Sequence, residues 1–118
     1  MGRIDLARVY DEVGMDPSGR FLADRLWPRG LAKAKAPFEF WAKEVSPSTD
    51  LRRWYGHAAA RFDEFAERYR AELARPGGVA ALRDLQARIA GRDVVLLTAT
   101  KELGSSHLPI LAAALSRL

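Results

Sequence analysis

Eight side chains in this sequence pair a chemically useful group with a position where such groups act. Asp24, Arg25 and Arg29 lie in Asp24-Arg25-Leu26-Trp27-Pro28-Arg29-Gly30, Arg52, Arg53 and His57 lie in Leu51-Arg52-Arg53-Trp54-Tyr55-Gly56-His57, and Lys101 and His107 flank a short loop after residue 99. An arginine fork donates two parallel hydrogen bonds to a phosphate or carboxylate and keeps its charge at any working pH. A histidine titrates near neutrality and can act as general acid or base. These residue types mark Asp24, His57 and His107 as candidate catalytic groups. They mark Arg25, Arg29, Arg52, Arg53 and Lys101 as candidate ligand-binding groups. Each also has a plainer role. Asp24 and Arg25 can pair internally, Trp27 and Trp54 can be core, Arg29 can be solvated, and His57 can be a cap or surface residue.

The elements that must position these groups can be read from pattern. Residues 4–10, with Ile4, Leu6, Val9 and Tyr10, read as a strand, and residues 20–26 as a second that Pro28 and Gly30 end. Asp24, Arg25 and Arg29 therefore sit at a strand end and in the turn after it, where open α/β sheets bind ligands. Residues 38–45 place Phe38, Trp41 and Val45 at helical spacing. Ser48 is suited to cap a helix over 49–55. Residues 58–75 carry the stripe Phe62, Phe65, Tyr69, Leu73, which Pro76-Gly77-Gly78 ends. Residues 79–90 carry Val79, Leu82, Leu85, Ile89. Val94-Val95-Leu96-Leu97 does not alternate and should be buried on both faces, as in a parallel sheet covered by helices. The loop at 100–105 then leads into a helix over 106–117, where Ser105 or Ser106 can cap and backbone N–H groups favour an anion.

The expected fold class is α/β: a small, mostly parallel or mixed sheet of about three strands covered by four to five helices, in one domain spanning residues 1–118. The linker between the first two strands is short for a parallel crossover, so those strands are expected to be antiparallel neighbours or non-adjacent.

Composition narrows the function classes. The 118 residues contain no cysteine, which removes disulfides and thiol catalysis. No run approaches the ~18 apolar residues of a membrane span, and cytoplasmic location is the expectation. The net charge of +4 is uneven. Residues 20–61 hold nine basic and four acidic side chains, a local field that attracts anions. The two histidines are fifty residues apart, so no metal site is expected, and no cofactor is implied. There is no G-x-G-x-x-G, P-loop or G-x-S-x-G sequence.

Five segments carry a resemblance to a known family: RVYD at 8–11, DRLWPRG at 24–30, SPSTDLRRWYGH at 46–57, F-x-x-R-Y at 65–69 and VVLLTATKE at 94–102. Together they resemble the YeaO-like bacterial proteins, domain-of-unknown-function family 488, over nearly the whole chain. The resemblance implies an α/β domain of the bacterial cytoplasm and implies no established activity. Other branches of the wider family carry a cysteine near the end of the last strand and a later Cys-His-Arg segment. Here Ala99 and Ser106-His107-Leu108 stand in those places, so thiol chemistry does not transfer. His107 matches a histidine of the pattern. Glu102 and Ser106 stand where the YeaO-like branch would have Asp and Asn.

The reading that follows is an uncharacterised bacterial protein that binds, and in an enzymatic version turns over, a small anionic ligand such as a nucleotide or sugar phosphate through an Arg/His cluster. One alternative is a nucleic-acid-binding module using the basic middle third with Trp27, Trp54 and Tyr55. Another is a non-catalytic accessory protein whose arginines are structural.

Overall fold

A computed structural model describes residues 2–118. Four parallel strands, β1 (Ile4–Arg8), β2 (Arg20–Leu22), β3 (Phe40–Trp41) and β4 (Val94–Thr98), form a sheet of order β1-β4-β2-β3. Four α-helices accompany it: α1 (Thr49–Tyr55), α2 (Phe62–Ala74), α3 (Pro76–Ile89) and α4 (Leu108–Ser116). The chain is thus an α/β protein with one strand more than the pattern suggested.

β4 is the strand without alternation, and it lies in the middle. Its partners are β1, in register Leu6 to Leu96, and β2, in register Phe21 to Leu96. Leu96, Leu97 and Thr98 are fully buried. Because β4 inserts between them, β1 and β2 are parallel and non-adjacent, the second of the two arrangements that the short linker allowed.

The two faces of the sheet are covered differently. On one face Phe21, Val94 and Leu96 pack against Leu51, Tyr55, Phe65, Tyr69, Leu85 and Leu111 from the four helices. On the other, Leu22 and Leu97 pack with Val9 and Leu31 beneath Trp27, Phe38 and Trp41. Trp27 meets Phe38 and Trp41 edge-on at 5.4 and 5.5 Å, and its indole N–H donates to the Leu31 carbonyl at 2.7 Å. An irregular segment with an aromatic cluster takes the place that a helix would take in a doubly wound sheet. Three aromatic rings supply the apolar area a helix face would otherwise supply.

Residues 38–45 are not a helix. Phe40–Trp41 is β3, followed by a turn of 3-10 helix at Lys43–Val45. The spacing of Phe38, Trp41 and Val45 is apolar because Trp41 faces the aromatic cluster while Phe40 and Val45 face the helices. A short parallel strand with both faces covered gives no alternation, so helical spacing there was a coincidence.

Two boundaries also differ. Pro76-Gly77-Gly78 does not merely end α2: Pro76 opens α3, its missing N–H costing nothing at the first helical position. A Cβ on Gly78 would lie 2.4 Å from the Glu72 carbonyl oxygen, so the tight α2–α3 junction requires glycine. Strand β2 stops at Leu22, leaving Ala23 and Asp24 as the first residues of the loop beyond its carboxyl end.

Candidate functional site

The site residues are set by the carboxyl ends of the four strands. Tyr10 follows β1, Asp24 through Arg29 follow β2, Ser46 and Pro47 follow β3, and Ala99 and Thr100 follow β4. All of them, with residues of α1 and the start of α4, line one cleft of ≈ 610 Å³. Seven of the eight residues singled out by type and spacing meet there: Asp24, Arg25, Arg29, Arg52, Arg53, His57 and His107. Lys101 is exposed and does not line the cleft.

Asp24 joins the strand ends. Its Oδ1 accepts the Thr98 hydroxyl at 2.7 Å, its Oδ2 accepts the Ala99 N–H at 2.7 Å, and its own carbonyl accepts the Trp41 indole N–H at 2.6 Å. Strands β2, β3 and β4 are tied together at this one residue.

His107 sits directly behind it, 7% exposed. Its Nε2 hydrogen-bonds to the Ala23 carbonyl and lies 3.6 Å from Asp24 Oδ1. Burial holds the imidazole below its ordinary pKa of 6.5, and the charges of Arg52 and His57 add to that. Asp24 and the Ala23 carbonyl pull the other way, without overcoming burial. The ring is therefore neutral at pH 7. The edge of His107 meets Tyr69 at 5.9 Å. The Tyr69 hydroxyl donates to the Val45 carbonyl at 2.5 Å, and burial pushes its pKa far up.

The arginines divide into two kinds. Arg25 is spent on the protein: its guanidinium donates to the carbonyls of Ser46 at 2.7 Å and Pro47 at 3.4 Å, and lies 3.7 Å from Glu44. It holds the β3–α1 loop against the turn after β2. Arg29, Arg52 and Arg53 are exposed, and their side chains make no hydrogen bond or ion pair among the described residues. Asp24 is the one carboxylate among the cleft-lining residues, and it is already satisfied. With Arg25, Arg29, Arg52 and Arg53 set against one carboxylate, the lining carries a net positive field.

Local sequence explains how α1 presents its arginines. The Ser48 hydroxyl accepts the Leu51 N–H at 3.1 Å, capping the helix, and Glu72 in turn accepts from the Ser48 N–H and hydroxyl at 2.9 and 2.6 Å. Leu51 and Tyr55 face the core, which turns Arg52 and Arg53 outward. Gly56 ends the helix at φ 51° and His57 follows at φ 57°. A left-handed backbone at a non-glycine residue is uncommon and costs roughly 1–2 kcal/mol. The strain places His57 on the cleft rim, its ring 6.0 Å from Tyr55.

Residue types alone passed over Tyr10, Ser46, Thr49 and Thr100. Tyr10 donates its hydroxyl to the Arg29 carbonyl at 2.8 Å and so steadies the turn that carries Arg29. The signal for Tyr10 was available, since it follows the carboxyl end of a recognised strand. The signal for Ser46 was lost when β3 was read as helix.

Among the described residues, no group of three or more His, Cys, Asp or Glu side chains is placed to hold a metal ion. Among the described residues, no helix is long and apolar enough to cross a membrane.

Comparison with known proteins places the chain. An uncharacterised protein of Mycobacterium tuberculosis H37Rv is 43% identical over 115 residues, covering 97% of this chain and 94% of its own. A protein of Mycobacterium bovis, also uncharacterised, matches to the same extent. YeaO of Escherichia coli K12, also uncharacterised, is 42% identical over 72 residues, 61% of this chain and 63% of its own. No solved structure matches the chain. The sequence model described as the inactive DUF488-N3 subclade matches residues 3–118, and the chain belongs to that family.

Proposed function

We propose that this protein binds a small anionic metabolite, a sugar phosphate or nucleotide, in the cleft at the carboxyl ends of its strands. The observation that carries the reading is the set Arg29, Arg52 and Arg53: three arginines without protein partners among the described residues, facing a cleft whose single carboxylate is already satisfied. Guanidinium groups held around a cleft of this size are suited to phosphate. The location at a parallel sheet's carboxyl edge supports the same reading.

Binding without turnover is the favoured form. Asp24 accepts two protein donors and ties β2 to β4, a structural role that needs no turnover. The subclade's description as inactive supports this. The lack of cysteine supports a cytoplasmic setting.

The test is a thermal-shift screen against phosphorylated metabolites, with Arg29→Ala and Arg52→Ala as controls. The reading predicts stabilisation of the parent and weaker stabilisation of each variant. Ligands that stabilise parent and variants alike would remove the arginines from the site. Steeply salt-dependent binding to RNA or DNA that survives both substitutions would favour the nucleic-acid module instead.

A further inference from the structure

The cleft offers two different kinds of recognition, and they sit at different depths. At the exposed rim are the guanidiniums of Arg29, Arg52 and Arg53, which only donate. At the buried floor is the His107 ring. Its Nε2 faces the Ala23 carbonyl oxygen and Asp24 Oδ1. The carbonyl has no proton to give. Asp24 accepts the Thr98 O–H and the Ala99 N–H. Nε2 must therefore carry the ring's proton.

Burial with Arg52 and His57 nearby keeps a second proton off the ring. Nδ1 is then a bare lone pair: it makes no hydrogen bond among the described residues, and it is not sealed from solvent, so it opens to the cleft that His107 lines. The floor of an otherwise cationic cleft thus presents an acceptor. A phosphate or carboxylate oxygen against Nδ1 would set lone pair against lone pair. A hydroxyl fits, because it can donate.

We propose that the cleft takes a hydroxylated phosphate monoester, its phosphate among Arg29, Arg52 and Arg53 and one of its hydroxyls donating to Nδ1 of His107. This rests on the reading of the cleft as an anion site and adds a second requirement to it. The chemistry is shared by a free sugar phosphate and by the ribose phosphate of a nucleotide. A plain anion satisfies the rim and leaves Nδ1 unpaired. A polyol without phosphate satisfies the floor and leaves three cations unpaired.

The experiment measures affinities by calorimetry for two matched pairs: ribose 5-phosphate with its 2,3-dideoxy counterpart, and AMP with 2′,3′-dideoxy-AMP. Inorganic phosphate is the reference. In parallel, 15N spectra of histidine-labelled protein follow His107 Nδ1, with His57 assigned from its absence in a His57→Asn variant. The expected result is binding about tenfold tighter for the hydroxylated member of at least one pair, the size of one neutral hydrogen bond. The His107 Nδ1 resonance should shift with that ligand and not with its dideoxy partner. A preference confined to the AMP pair identifies a nucleotide, and one confined to the ribose 5-phosphate pair identifies a sugar phosphate. Equal binding within both pairs, or a hydroxyl preference without movement of Nδ1, overturns the inference and leaves the arginine site standing. If none of the ligands binds, phosphate included, both readings fail. The readout uses the unmodified His107, so it does not depend on whether a substituted chain folds.

Discussion

Asp24 Oδ1 accepts the Thr98 hydroxyl across the ends of β2 and β4, two residues 74 positions apart in sequence, at 2.7 Å. The same carboxylate accepts the Ala99 N–H and lies beside His107 Nε2. A group that looked catalytic by type is, by geometry, the lock that keeps the floor of the cleft in shape. Its consequences for stability and for binding can be separated.

Asp24→Asn should destabilise the fold by roughly 2 kcal/mol, since an amide can accept only one of the two hydrogen bonds and hydrogen bonds to a charged group contribute roughly 1.5–3 kcal/mol. Urea unfolding monitored by tryptophan fluorescence measures it. A loss under about 0.5 kcal/mol would show that the tie between β2 and β4 is dispensable.

Arginine substitutions should split into two classes. Arg25→Ala removes the donors to Ser46 and Pro47 and should lower stability by about 1–2 kcal/mol. Arg29→Ala, Arg52→Ala and Arg53→Ala each remove an exposed side chain and should change stability by less than about 0.5 kcal/mol. Melting curves of the four variants, run side by side, decide this. Equal losses in all four would contradict the division.

Stability should fall between pH 7 and pH 5 through His107. Its folded-state pKa lies below the ordinary 6.5 because of burial, so the unfolded chain takes up the proton first as pH drops. The contribution is complete above the unfolded value and is lost as pH falls through 6.5 towards the folded one. The carboxylates with lowered pKa, Glu39 beside Arg92 and Asp16 beside Ser18, lose their contributions as pH falls from the usual carboxylate range towards their lower folded values, mainly below this window. Unfolding free energies at pH 7.5 and 5.5 should differ in the parent and differ less in His107→Gln. Identical slopes in the two proteins would remove His107 as the source.

At the α2–α3 junction, Gly78→Ala and Gly77→Ala should have opposite signs. A Cβ on Gly78 meets the backbone of Glu72 at 2.4 Å and of Leu73 at 2.7 Å, whereas one on Gly77 meets nothing within 4 Å. Gly78→Ala should cost at least about 2 kcal/mol through overpacking. Gly77→Ala should stabilise by about 0.5 kcal/mol by restricting the unfolded chain. Chemical denaturation of both variants checks the pair.

Much of this architecture was legible in the sequence. Val94 through Leu97 announced a strand buried on both faces, and it is the centre of the sheet. Asp24 through Gly30 announced a strand end followed by a turn, and the cleft is there. What stayed hidden had physical causes. β3 has two residues, too few for a period, and the neighbouring aromatics fell at helical spacing. The aromatic cover over the second face is built from Trp27, Phe38 and Trp41, whose meeting depends on a long connection with no repeat to read. The convergence of residues 24–29, 52–57 and 107 depends on strand order, which a linear sequence does not state. Lys101 belonged to the right loop, yet it is exposed and stands off the cleft.

The central claim is that Arg29, Arg52 and Arg53 form an anion site. The most direct measurement is a calorimetric titration of ribose 5-phosphate and of AMP into the parent protein and into the triple variant Arg29→Ala/Arg52→Ala/Arg53→Ala, at low salt and with the fold of both checked by circular dichroism. The account predicts saturable binding of at least one ligand to the parent and loss of at least about 100-fold in affinity in the triple variant, given charge-assisted hydrogen bonds of about 1.5–3 kcal/mol each. Binding to the triple variant as tight as to the parent would contradict it.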